Sequence, residues 1–204
     1  MTDTIDAQTR QLAAMAYGEA SPANVSDEMY ALASVIVRQR DARGYSDIAT
    51  FASSESSFSY AVSDGNKRYS KLMKAKEADI FKDVGMNMAI DAAKNALANG
   101  PDKSNGAYFW DGADIKTNYS AHAKVKRGIK FTDPTHNIYG IKESTALVIK
   151  TKTTKKKIGH KVIIEKKEVY RYDHVYESTA AYGGTIFWKF NPDYVKFTHA
   201  KEYI

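Results

Sequence analysis

Glu19 is the side chain whose type and spacing best suit proton transfer. Leu12, Met15, Ala16 and Glu19 follow one another at helical intervals, which puts all four on one face of a helix. A glutamate that carries an apolar stripe to the mouth of a folded body loses hydration, and desolvation disfavours its charged form. Such a group keeps its proton towards neutral pH and can donate it to a poor leaving group such as a glycosidic oxygen. Spacing alone leaves a second reading open, a glutamate at a helix end on the surface. Gly18 and Pro22 are poor residues for a helix interior, so the helix is predicted to stop close to Glu19.

The elements that would position this group read as helical over the first hundred residues. A helix is predicted over 27–42, with Met29, Leu32, Ala33, Ile36 and Val37 on its buried face. Arg38, Arg40 and Arg43 complement its C-terminal dipole, and Gly44 ends it. Ser46 is expected to cap a short helix through residue 52, after which a serine-rich run leads into the isolated Phe58. Further helices are predicted around 67–78 and from Met86 to Leu97, the latter closed by Asn99, Gly100 and Pro101. From Pro101 onward the chain is loop-dominated, with turn chemistry at Asp133-Pro134-Thr135-His136-Asn137.

From Ala146 β-formers prevail. Strands over 147–152 and 158–164 are predicted to flank a lysine turn as a hairpin, Tyr170, Tyr172 and Tyr176 to alternate on one face, and 186–190 to form another strand. The fold class expected is α+β, a helical core over 1–145 with a basic, β-rich extension over 146–204 packed on it.

Composition narrows the class further. The chain has 204 residues, 43% hydrophobic and 26% charged, enough for one full core and typical of a folded globular protein. No stretch approaches the roughly 20 apolar residues of a bilayer span, and residues 1–10 are too polar for an export signal. The absence of cysteine excludes disulfides, thiolate metal sites and a cysteine nucleophile. Residues 150–167 hold eight lysines against one glutamate, so they account for the whole net charge of +6. That run reads either as a solvated hairpin whose lysines block edge pairing, or as an adhesive for an anionic surface such as wall polymer or lipid headgroups.

Several short segments, in order, resemble the cell wall hydrolases related to the spore cortex-lytic enzyme SleB. They begin with Ala16-Tyr17-Gly18-Glu19-Ala20 and with Tyr30-Ala31-Leu32-Ala33-Ser34-Val35-Ile36-Val37-Arg38-Gln39-Arg40. Ser57-Phe58-Ser59 is similar to the family's glutamine-phenylalanine-serine loop, and Asn95-Ala96-Leu97-Ala98-Asn99-Gly100-Pro101-Asp102 to its helix end. Ser104-Asn105-Gly106-Ala107-Tyr108-Phe109 resembles its aromatic loop, and Thr135-His136-Asn137-Ile138-Tyr139 its closing segment. The chain departs from the family at Gln39, Ser57, Lys103 and Ser104, where the family carries asparagine, glutamine, proline and threonine.

The resemblance implies a lysozyme-like helical core over about 1–140, with Glu19 as the catalytic acid of peptidoglycan glycan-strand cleavage. It favours a lytic transglycosylase, which needs no second protein carboxylate. Hydrolysis by water is the alternative, for which Asp111 and Asp114 are the candidates opposite the acid. A glycan cleft offers aromatic platforms beside a few hydrogen-bonding groups. The residues expected to bind substrate are Tyr17, Phe58, Ser59, Ser104, Tyr108, Trp110, His136 and Tyr139, while Phe109 reads equally as core.

His122, His136, His160, His174 and His199 are scattered without metal-ligand spacing, and no phosphate-cradling glycine loop occurs, so neither metal nor cofactor is implied. The rival reading is a non-catalytic basic module that grips an anionic polymer, wall or nucleic acid, of which nucleic acid is the less favoured partner. Without an export signal, delivery to the periplasm or cell wall by a phage or interbacterial machine is expected, with an immunity protein as the matching inhibitor.

Overall fold

The structure, a computed structural model, describes residues 4–56, 58 and 65–204. It is α+β. Helix α1 (Ala7–Glu19) begins at Asp6, whose side chain accepts from Thr9 N at 2.9 Å, and its burial runs through Leu12, Ala13, Ala14, Met15 and Ala16. It lies against α2 (Ser26–Ala42), α4 (Lys67–Lys74) and α6 (Val84–Leu97). Alanines at 13, 14, 31, 33, 89, 92 and 93 are fully buried, and these small side chains let helix backbones approach while Leu32, Ile36 and Ile90 fill the space between.

Two helical boundaries differ from expectation. Helix α3 (Ile48–Ser54) is capped by Asp47, which accepts from Thr50 N at 2.7 Å, rather than by Ser46. A carboxylate is the stronger acceptor for the helix's free N–H groups. The single helix predicted over 67–78 is two, α4 and α5 (Glu77–Lys82), parted at Ala75 and Lys76. Arg10 donates to the Ala75 carbonyl at 2.8 Å and so satisfies an orphan acceptor at the end of α4.

A four-stranded sheet, in the order β1-β6-β5-β2, stands beside the helices. Its strands are β1 (Phe109–Asp111), β2 (Ile129–Lys130), β5 (Tyr176–Tyr182) and β6 (Thr185–Phe190). Strand β6 runs antiparallel to β1 and β5, and β2 pairs parallel to β5. Strands from both sides of residue 145 therefore share one ladder. A second core of Ile115, Ile129, Val175, Ile186, Trp188 and Phe190 packs with this sheet, flanked by the short helices α7 (Asp114–Thr117) and α8 (Ala123–Arg127).

The joint between helices and sheet is Glu28, which is fully buried. Its Oε1 accepts from Gly184 N (2.9 Å) and Thr185 Oγ1 (2.8 Å), and its Oε2 from Ser21 N (3.1 Å) and Ser21 Oγ (2.8 Å). Gly183 turns there at φ +58, and a Cβ on it would meet Glu28 Oε2 at 2.2 Å. The clamp ties α2, the β5–β6 turn and the chain just past Glu19 to one another.

Strands β3 (Val148–Ile158) and β4 (Lys161–Tyr172) form a separate two-stranded ribbon. The lysine turn expected there is not a turn. Lys155, Lys156 and Lys157 lie within β3, and the reversal falls at Gly159, whose φ of +60 suits a tight hairpin. The three tyrosines do not share a face. Tyr170 and Tyr172 stack near Phe197 of α9 (Pro192–Thr198), whereas Tyr176 belongs to the other sheet and its core. No helix among the described residues is long and apolar enough to cross a membrane.

Candidate functional site

Glu19 is the last residue of α1, and the chain leaves the helix at Ala20 with extended backbone (φ −69, ψ 152). Its half-buried carboxyl lies in the wall of a cavity of about 480 Å³. Met15, Ile36 and Phe58 supply apolar wall, Tyr108, Phe109 and Trp110 an aromatic one, and Gln39, Arg43 and Lys124 the polar groups. Tyr203 and Ile204 also line it. Desolvation raises the Glu19 pKa above its ordinary value, and a hydrogen bond from Trp110 pulls weakly the other way. The Trp110 indole Nε1 donates to Glu19 Oε2 at 3.3 Å.

Strand β1 places that indole. Trp110 pairs with Phe187 of β6, and its ring meets Phe58 edge-on at 5.5 Å, with Phe58 held in turn by Phe51 at 4.6 Å. Gln39, on the buried face of α2, donates to the Tyr108 carbonyl at 2.7 Å and accepts from Arg43 Nε at 2.9 Å. Arg43 also pairs with Glu55 at 2.7 Å and donates to the Tyr203 carbonyl at 3.0 Å. The aromatic loop is thus pinned from α2, the same helix the Glu28 clamp fixes.

Asp111 follows Trp110 on the opposite face of the strand. It is buried, paired with Lys124 Nζ at 2.8 Å, and His122 Nε2 lies 3.4 Å from both Asp111 Oδ1 and Asp114 Oδ2. The hydrogen bond with Asp111 is the main influence raising the His122 pKa. These three side chains bring ligand atoms within 4.8 Å of one another, close enough to hold a metal ion. The Lys124 ammonium already neutralises Asp111 and would repel a cation there. Neither aspartate, the two candidates for the hydrolytic alternative, lines the cavity. Among the described residues, Glu19 is the only acidic side chain in the lining.

Of the residues expected to bind substrate, Phe58, Tyr108 and Trp110 do gather around Glu19, and Phe109 joins them while also packing on Phe190 at 4.8 Å. Ser59 lies outside the described residues. Tyr17 is outside the cavity. The Arg68 guanidinium covers its ring at 3.9 Å and donates to its carbonyl at 2.7 Å, which locks the helix end. Ser104 is fully buried and donates to Asp102 Oδ1 at 2.6 Å, inside a network with Arg38, so it has no free hydroxyl for a ligand. His136 contacts Ser178 Oγ through Nδ1 at 2.9 Å, and burial pushes its pKa down. Tyr139 donates to the Gly184 carbonyl at 2.6 Å. Both brace the β5–β6 pair rather than line the cavity.

Sequence reasoning missed Gln39 as a loop anchor, Arg43 and Lys124 as the cations of the cavity, and Tyr203 and Ile204 as part of its wall. Gln39 had a signal, because it stands where the resembling family carries another amide. Lys124 had none, since nothing local ties it to Glu19.

No protein-family model, curated protein or solved structure matches this chain. The likeness to SleB-related hydrolases is accordingly one of short sequence segments.

Proposed function

We propose that this protein cleaves the glycan strands of bacterial peptidoglycan as a lytic transglycosylase built on a lysozyme-like helical core. The observation that carries the reading is a partly desolvated glutamate carboxyl in an aromatic-walled cavity, its pKa raised and one indole N–H on it. Glu19 gives its proton to the glycosidic oxygen as the bond from the sugar C1 to that oxygen breaks. The C1 carbon becomes oxocarbenium-like, with the ring oxygen sharing the charge. The Glu19 carboxylate, steadied by Trp110 Nε1–H, then takes the proton of the muramic acid 6-hydroxyl as its oxygen closes on C1, leaving a 1,6-anhydro end and the acid restored.

This route needs no second acidic side chain, and Glu19 is the one acidic side chain of the described lining. The aromatic side chains Tyr108, Phe109 and Trp110 suit the apolar faces of sugar rings. Lys124 and Arg43, paired with Asp111 and Glu55, add polar groups to the same cavity. Access to this substrate requires delivery to the periplasm or cell wall, the situation of a phage or interbacterial effector, and an inhibitor inserted at Glu19 would neutralise it.

Purified sacculi test the proposal. The parent should release soluble muropeptides with anhydro-muramic ends by mass spectrometry, and Glu19→Gln should lower release by about 10²–10⁴-fold. Release undiminished in Glu19→Gln would remove Glu19 from its role. Reducing muramic acid ends would turn the assignment to a water-using muramidase. Binding to sacculi by both forms without release from either would leave a binding module.

A further inference from the structure

The β3–β4 ribbon takes no part in the Glu19 cavity, and every residue from 149 to 169 is exposed. A two-stranded hairpin without a third strand or a covering helix is marginal in water. Only its base is anchored, where Tyr170 stacks on Phe197 at 5.1 Å and Tyr172 meets Tyr194 edge-on at 5.4 Å. Farther out, the register sets Lys152 opposite Lys167, a like-charge pair that opposes the hairpin unless an anion lies beside it.

The distal end has a different pattern. Lys155 faces Ile164, Lys156 faces Ile163, Lys157 faces Val162 and Ile158 faces Lys161, so each cross-strand pair joins an ammonium to a branched aliphatic side chain. Successive pairs point to opposite faces. Both faces of the tip therefore present the same mixture, with Ile158, Val162 and Ile164 more than half exposed.

We infer that the β3–β4 ribbon docks on the surface of an anionic lipid bilayer. Lysine ammonium groups meet headgroup phosphates while their stems and the isoleucine and valine side chains enter the boundary with the acyl chains. A phosphate polymer with no apolar layer would match the lysines and leave the aliphatic half of every tip pair in water. Residues 150–167 also contain no arginine for bidentate phosphate contacts and no Phe, Tyr or Trp to stack on bases. The two halves of the pattern together select the bilayer.

The intact 204-residue chain should sediment with vesicles of phosphatidylglycerol and phosphatidylcholine, remain in solution with phosphatidylcholine alone, and lose vesicle binding as salt rises. Two variants separate the contributions. K155Q/K156Q/K157Q/K161Q should weaken partitioning by about tenfold or more, and I158S/V162S/I163S/I164S should weaken it comparably, with the thermal unfolding of both at parental level. Absence of vesicle binding, or parental binding by either variant, would overturn the inference. Equal affinity for duplex DNA, insensitive to the serine substitutions, would replace it with a polyelectrolyte surface. Glu19→Gln should bind vesicles as the parent does, so the outcome is independent of glycan cleavage.

Discussion

Two glutamates close in sequence hold opposite positions in this molecule. Glu28 is fully withdrawn from water, yet donors from Ser21, Gly184 and Thr185 engage both of its oxygens. Glu19 is less deeply buried and has one long hydrogen bond, from Trp110, on one oxygen. Burial alone does not distinguish a structural carboxylate from one suited to exchange protons. The number of donors does, because a carboxylate enclosed by donors has no direction left in which to pass a proton, whereas a desolvated one facing open space does.

Breaking the saturated member should have the larger effect on the fold. Glu28→Ala strips partners from two backbone N–H groups and two hydroxyls in a buried joint, and should cost about 3 kcal/mol or more in denaturant unfolding. A loss well under 1 kcal/mol would mean that water substitutes freely and that α2 is not tied to the sheet by this residue.

How far this contrast was legible in the sequence differs between the two. Glu19 stood out because it prolongs an apolar stripe, a local pattern. Glu28 sits in an acidic first helical turn and reads as an ordinary dipole partner, since its donors Gly184 and Thr185 are remote in the chain. The same rule accounts for the rest of the reading. Helices with strong periodicity, such as α2 and α6, came out within a residue or two. Strand β1 did not, because a three-residue strand exists only through its pairing with β6. Asp111 and His122 look unrelated for the same reason, and the enclosure of Ser104 by Arg38 and Asp102 is likewise a long-range fact that the sequence does not display.

The sparsely bonded member can be tuned through its single donor. The Trp110 hydrogen bond lowers the Glu19 pKa, so Trp110→Phe, which keeps an aromatic ring but loses the N–H, should raise it further. If Glu19 acts as the acid, muropeptide release falls as pH climbs through its pKa, and in Trp110→Phe that limb should move to higher pH. The rate at the optimum should drop about tenfold for loss of the bond that steadies the carboxylate. An unmoved limb would indicate that the indole does not touch the working form of the acid.

Glu19 should also leave a signature on stability without any substrate. Its folded-state pKa lies above the ordinary value of 4.5, so between the two the folded chain keeps a proton that the unfolded chain releases. Stability contributed by this group is complete below that window and declines as pH rises through it. Glu19→Gln removes the decline, and should melt above the parent at neutral pH and level with it below the window. Thermal unfolding at several pH values would check this, and a variant less stable at neutral pH would mean that the carboxylate has partners beyond Trp110.

The smallest expected effect separates packing from recognition at the aromatic loop. Ser104 donates to Asp102 and accepts from Arg38, but Arg38 and Asp102 also pair directly. Ser104→Ala should therefore cost about 1 kcal/mol of stability, the net worth of an ordinary hydrogen bond, with muropeptide release unchanged below the melting transition. A fall in release with stability intact would put the Ser104 hydroxyl in contact with substrate, and the loop carrying Tyr108 to Trp110 would then have to move to expose it.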